Sequence, residues 1–125
     1  MDMQTPPQKA AVVIVDDDAA VRHALSFALE TEGFEVRTYA SGEALLAATG
    51  EAKPACLVLD QRLPGVSGLD LLARLRGQGV VAPAFLITTH PAPLVRARAL
   101  AAGVEIVEKP LLGDVVTRKV RAAIV

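Results

Sequence analysis

Five short strand-like segments recur along the chain: Ala10 to Val15 and Cys56 to Asp60 are continuous apolar runs, Phe34 to Tyr39 alternates Phe34, Val36 and Thr38 against Glu35 and Arg37, and Ala84 to Thr88 and Val104 to Glu108 complete the set. Runs of this length and β-branched content read as strands. Each is followed by a stretch with helical spacing. The first helix is predicted from Ala19 to Glu32, with Val21, Leu25, Ala28 and Leu29 on one face and Gly33 as its stop. The second is capped by Ser41 and runs to Thr49, with Ala44, Leu45 and Ala48 facing inward. The third runs from Ser67 to Arg76, the fourth from Pro91 or Pro93 to Gly103, and the fifth from Leu112 to Ile124 with Leu112, Val116, Val120 and Ala123 together.

Regular strand–helix alternation argues a parallel sheet covered by helices on both faces. Right-handed crossovers leave few topologies. The expected fold is α/β: a flavodoxin-like, doubly wound three-layer sandwich with a five-stranded parallel sheet in the order 2-1-3-4-5. Residues 1–9 are polar with two prolines and read as a flexible lead-in; residues 10–125 form one domain. The core is built from Ala, Leu and Val, because apolar residues make up 52% and aromatics 3%.

Charge separates along the chain. Residues 1–60 carry ten acids and four bases, and residues 61–125 four acids and nine bases. The net charge of -1 gives no global attraction to nucleic acid or acidic lipid. The single cysteine, Cys56, excludes an internal disulfide and falls in an apolar strand. No apolar run reaches the roughly 18 residues of a membrane span, and the N-terminus lacks a signal-peptide core. A cytoplasmic protein is expected.

The chemistry gathers where strands stop. The third run ends in Asp60 and breaks into Gln-Arg-Leu-Pro-Gly-Val-Ser-Gly before the next helix. This reads as an exposed Asp at a strand's carboxyl end, where open α/β sheets bind ligands. Asp16, Asp17 and Asp18 follow the first strand, Thr88, Thr89 and His90 end the fourth, and Lys109-Pro110 ends the fifth. Carboxylates this close need a counter-charge, and a hard divalent cation supplies one. Lys109 offers a point charge for a phosphoryl oxygen and Thr88 a hydroxyl. A carboxylate can itself be the nucleophile, so the set suits phosphoryl transfer onto an Asp. Taken singly, each part has a plainer explanation. The Asp run can cap a helix, Asp60 can open a turn, Thr88 can be a strand residue, and Lys109 can be a loop lysine paired with Glu105 or Glu108.

The conjunction resembles the receiver domain of two-component response regulators. It is carried by Val13-Ile14-Val15-Asp16-Asp17, by Leu57-Val58-Leu59-Asp60 through Ser67-Gly68, by Ile87-Thr88-Thr89-His90 and by Glu108-Lys109-Pro110. The resemblance implies that Asp60 accepts the phosphoryl group. It implies a Mg²⁺ site of Asp16, Asp17, Asp60 and the backbone carbonyl of Arg62, with Asp17 a direct ligand. Thr88 and Lys109 would bind phosphoryl oxygens, and the Lys109–Pro110 peptide would be cis. Asp18 falls outside the pattern and reads as a helix cap. The implied function is a signalling switch, phosphorylated by a histidine kinase or histidine phosphotransfer protein. It would not be an enzyme beyond self-phosphorylation and autodephosphorylation. The Asp60 loop and the Thr88 segment look most like receivers attached to DNA-binding output domains, so transcriptional control in a longer chain is expected; a stand-alone receiver is the alternative. No element for direct nucleic-acid contact is visible.

Two features depart from the family pattern. Ile106 stands where receivers commonly carry an aromatic, in a segment about one residue short, so either output proceeds without an aromatic swing or Ile106 is simply core. Thr89 stands where Ala or Gly is usual and predicts restricted access to Asp60 and a longer-lived acyl phosphate, with Arg62 and His90 at the rim. His23 reads as surface. Arg96, Arg98, Arg118, Lys119 and Arg121 make the fourth helix, fifth strand and fifth helix the expected interaction face. Glu105, Glu108 and Asp114 could pair with them across a homodimer; a solvated helix surface accounts for the same charges. Competing functions are weaker. An Asp-nucleophile phosphohydrolase of the haloacid dehalogenase type wants a second Asp where Arg62 stands. A dinucleotide binder wants a Gly-rich turn after the first strand. A phosphate-independent scaffold would not require the full constellation.

Overall fold

The computed structural model describes residues 11–48 and 53–124. The elements in chain order are β1 (Ala11–Val15), α1 (Ala19–Thr31), β2 (Glu35–Tyr39), α2 (Gly42–Ala47), β3 (Cys56–Asp60), α3 (Gly68–Gly77), β4 (Ala84–Thr88), α4 (Pro93–Ala101), β5 (Glu105–Glu108) and α5 (Val115–Ile124). The five strands form one sheet in the order β2-β1-β3-β4-β5, and every pairing is parallel. The expected α/β fold and strand order are therefore observed. The predicted lead-in over residues 1–9, the start of the first strand at Ala10 and the end of the second helix at Thr49 lie outside the described residues.

Strand periodicity divides the core. Val13, Val15, Leu57, Leu59 and Leu86 point to one face, where Leu69, Leu71, Leu72 and Leu75 of α3 and Ala99 of α4 cover them. Val12, Ile14, Cys56, Val58, Phe85 and Ile87 point to the other, covered by Leu25 and Leu29 of α1 and Val116 and Val120 of α5. The central strands β1, β3 and β4 are buried along their whole length because both faces are covered. Burying each Leu, Ile or Val side chain contributes about 1.5–3 kcal/mol. Cys56 is inside this core, and burial pushes its thiol up to about 11, outweighing an opposing contact with the Leu57 backbone.

Two local expectations are corrected. Leu112 lies outside α5 and is 72% exposed; Gly113, with φ +58, interrupts the backbone before the helix starts at Val115. Ala44, whose amide is capped by Ser41, is exposed, and it is Leu45 and Leu46 that pack on the core. Ile106 is partly buried against the α3-side core, as a packing residue would be. Among the described residues no helix is long and apolar enough to cross a membrane.

Candidate functional site

The parallel registers bring the carboxyl ends of four strands to one edge. Val15 stands opposite Leu59, Asp60 opposite Ile87 and Thr88 opposite Glu108. Asp16, the first residue past β1, and Asp60, the last of β3, thus fall side by side. Lys109, the first residue past β5, is aimed back at both. Its amide donates to the Thr88 carbonyl at 2.8 Å, and the following Lys109–Pro110 peptide is cis.

The result is a compact charged cluster. Nζ of Lys109 lies 3.1 Å from Oδ2 of Asp16 and 3.5 Å from Oδ2 of Asp60. Carboxylate oxygens of Asp16, Asp17 and Asp60 fall within 4.8 Å of one another. Asp60 is not exposed, as the sequence suggested, but only 4% accessible. It belongs to β3 itself and is enclosed by Asp16, Lys109 and the turn into α3. Burial raises its pKa, the Asp16 charge raises it further, and Lys109 and the Arg62 amide partly offset both. Burial works against the Lys109 ammonium, yet contacts with Asp16 and Asp60 carry its pKa above the ordinary lysine value. Asp17 is exposed beside this buried pair.

A divalent cation fits these residues. Oδ2 of Asp16 is buried and, apart from the nearby ammonium, finds no hydrogen-bond donor among the described residues. Three carboxylates and one ammonium leave negative charge uncompensated, and an all-oxygen donor set suits a hard ion such as Mg²⁺. Asp16, Asp17 and Asp60 would hold it.

The chain holds the site in place by local bonds. Oδ1 of Asp16 accepts from the Asp18 amide at 2.9 Å, and Oδ1 of Asp18 accepts from Ala20 at 2.9 Å, capping α1 as expected. The Arg62 amide donates to Oδ1 of Asp60 at 3.3 Å. Gly68 must lack a side chain, since a Cβ would overlap the Asp60 carbonyl oxygen and lie 2.9 Å from Cδ1 of Leu86. Thr88 is buried at the end of β4, Thr89 half-buried, and His90 exposed with φ +45. His23 is exposed on α1.

Three supporting residues were not anticipated. Arg22 of α1 donates from NH1 to the Asp16 carbonyl at 2.7 Å. Gln61 accepts from the Gly68 amide through its carbonyl at 3.1 Å and from the Leu69 amide through Oε1 at 2.9 Å. Glu43 of α2 accepts from the Val66 amide at 3.1 Å. Only the position of Gln61 directly after the strand-ending Asp could have signalled one of them.

The charges of α4, β5 and α5 pair within the molecule. Arg96 meets Glu108 at 2.8 Å, Arg98 meets Asp70 at 2.9 Å, and Arg118 meets Asp114 at 2.9 Å. Lys119 pairs with Glu105 and Arg121 with Glu32. Lys109 therefore has the two site carboxylates, and not Glu105 or Glu108, as its partners.

Comparison with known proteins agrees with this geometry. The family model described as response regulator receiver domain matches residues 12–121. The transcriptional regulatory protein FixJ of Bradyrhizobium diazoefficiens is 34% identical over 117 residues, covering 93% of this chain and 57% of that protein. The crystal structure of FixJ-N is 34% identical, with a TM-score of 0.79 and 94% of each chain covered. The chemotaxis protein CheY4 of Vibrio cholerae is 25% identical with a TM-score of 0.84, covering 93% of this chain and 99% of that one. The chain spans little more than half the length of the FixJ proteins it matches.

Proposed function

The chain belongs to the response regulator receiver domain family, and on that footing we propose that it is a switch that takes a phosphoryl group on Asp60 from a histidine kinase or histidine phosphotransfer protein. The observation that carries the reading is the buried Asp60 carboxylate held between two further carboxylates and the Lys109 ammonium. One oxygen of Asp60 attacks phosphorus as the donor's phosphorus–nitrogen bond breaks, the electron pair leaving on the donor imidazole. The product is an acyl phosphate. The transferred group brings extra negative charge into a buried site, so positioning and neutralisation dominate the chemistry.

Each residue has a role in that account. The Arg62 amide orients the Asp60 carboxylate, and its carbonyl is a metal ligand. Lys109 turns from the carboxylates to a phosphoryl oxygen, and Thr88 donates its hydroxyl to another. Asp16, Asp17 and Asp60 hold Mg²⁺, which when bound offsets the charge of the phosphoryl oxygens. Beyond self-phosphorylation and autodephosphorylation no turnover of an external substrate belongs to this reading. FixJ is named a transcriptional regulatory protein, which supports control of a transcriptional output in a longer chain. Exposed Leu94 and Leu100 on α4 support a homodimer through α4, β5 and α5, although the acids of that face already have internal partners.

The test is beryllofluoride binding with Mg²⁺, followed by amide NMR shifts in wild type and Asp60→Ala. Shifts near residues 60, 88 and 109 that vanish in the variant support the reading. An unresponsive wild type would leave a phosphate-independent scaffold.

A further inference from the structure

The turn from β3 into α3, residues 61–67, carries Arg62, and its path decides where that residue's carbonyl points. Gln61 closes the turn at its base through two bonds to the start of α3. The far side is held by a different element. Oε2 of Glu43, on α2, accepts from the Val66 amide at 3.1 Å across 23 residues of sequence. Two glycines make room for this approach. Gly65 has φ +75, and a Cβ there would overlap the Glu43 carboxylate. Gly42 is buried, and a Cβ on it would lie 3.3 Å from Cβ of Val66. Val66 is itself part of the α3-side core. The Gly42-Glu43 pair therefore grips Val66 by its side chain and its N–H together.

We propose that Glu43 is a positioning residue for the divalent-cation site, acting from α2 through Val66 on the turn that presents the Arg62 carbonyl. The inference rests on the Mg²⁺ site proposed above and adds a residue to its support. A ligand carbonyl on an unpinned turn must be ordered when the ion binds, and that ordering weakens affinity. A carboxylate accepting a backbone N–H is a charge-assisted bond, well suited to pinning a turn beforehand.

The experiment compares wild type, Glu43→Gln and Glu43→Ala as full chains. Amide exchange at Val66 is measured without metal, and Mg²⁺ affinity by NMR titration. In Glu43→Ala the Val66 amide exchanges about tenfold faster, and Mg²⁺ binds about fivefold more weakly, the equivalent of one net hydrogen bond. Glu43→Gln keeps an oxygen acceptor and stays within about twofold of wild type. Unchanged Mg²⁺ affinity in Glu43→Ala overturns the proposal. So does equal weakening in Glu43→Gln and Glu43→Ala, which would assign the effect to charge at the start of α2. A wild type that takes up no Mg²⁺ overturns the metal site and the proposal with it. That failure is seen before any variant is made.

Discussion

Nζ of Lys109 lies 3.1 Å from Oδ2 of Asp16, nearer than the 3.5 Å that separates it from Asp60. The ammonium is thus shared, and it leans toward Asp16 rather than toward Asp60, the proposed phosphoacceptor. Asp60 is left buried beside Asp16 with only partial compensation, and both influences raise its pKa. The site is built around charge that the protein alone does not balance.

Asp60→Asn should therefore stabilise the metal-free protein. A folded pKa above the ordinary 3.8 means that folding favours the protonated carboxyl. That contribution is present below 3.8 and is lost as pH rises through the folded value, so ionised Asp60 costs stability at neutral pH. Urea unfolding in EDTA should show Asp60→Asn more stable than wild type at pH 7, with the gain shrinking as pH falls toward 3.8. A variant less stable at pH 7 would mean that the Lys109 contact outweighs burial.

Mg²⁺ should act on the same imbalance. At a free concentration tenfold above Kd, linkage adds about 1.4 kcal/mol to stability, a rise of a few degrees in Tm. Asp17→Asn removes an exposed carboxylate of the proposed metal site without opening a cavity, so it should fold normally and lose the Mg²⁺-dependent rise. Thermal scans with and without Mg²⁺ decide it. A rise retained in Asp17→Asn would remove that residue from the metal site.

Gly68→Ala should be severe for a small change. The added methyl overlaps the Asp60 carbonyl oxygen and crowds Leu86, inside a core with no slack on that side. Overpacking of this kind costs about 1–3 kcal/mol, read from the urea midpoint. Asp60 would be pushed from its place against Lys109, so beryllofluoride binding should weaken as well. Wild-type stability in Gly68→Ala would mean that the turn can yield.

How far the site could be read from sequence depends on the kind of contact. Asp16, Asp60, Thr88 and Lys109 were legible because each follows or ends an apolar run, and the topology carries all run ends to one edge. Arg22, Gln61 and Glu43 were not, because their bonds depend on how a turn or a helix end lies in space. The same holds for Arg98, whose partner Asp70 is 28 residues away. Leu112 was misplaced because helical spacing continues past Gly113 in the sequence while the backbone does not. The turn that follows Asp60 makes it read as exposed in the sequence, yet its β3 pairing and its neighbours bury it.

Thr89→Ala tests the approach to Asp60. Thr89 is half-buried directly after Thr88, a β-branched residue where the family pattern has Ala or Gly. Phosphorylation by a small donor such as acetyl phosphate should be faster in Thr89→Ala, and the acyl phosphate shorter-lived, by roughly two- to fivefold each if the methyl contributes up to about 1 kcal/mol to either barrier. Radiolabel incorporation and decay measure both. Unchanged rates would leave Thr89 a strand-end residue and nothing more.

Helix α4 should open before α3. Its N-cap, Ala92, offers no side-chain bond, and Ala99 is its only buried residue, whereas α3 buries four leucines. Leu94 and Leu100 are 71% and 83% exposed and contribute little to holding it. What remains is partly buried Val95 against the α3-side core and the pair of ion bridges from Arg96 to Glu108 and Arg98 to Asp70, both exposed and weakened by solvent screening. Few buried contacts mean a low local opening free energy. Native-state hydrogen exchange should find amides of residues 97–101 at least about tenfold less protected than those of residues 72–75, a difference of some 1.4 kcal/mol or more. Arg98→Gln should widen the gap slightly, and salt should have the same sense of effect. A helix tethered this lightly beside β5 can be re-seated at low cost when charge changes at Lys109, without an aromatic at position 106. Equal protection of α3 and α4 would remove that route and direct attention to α5.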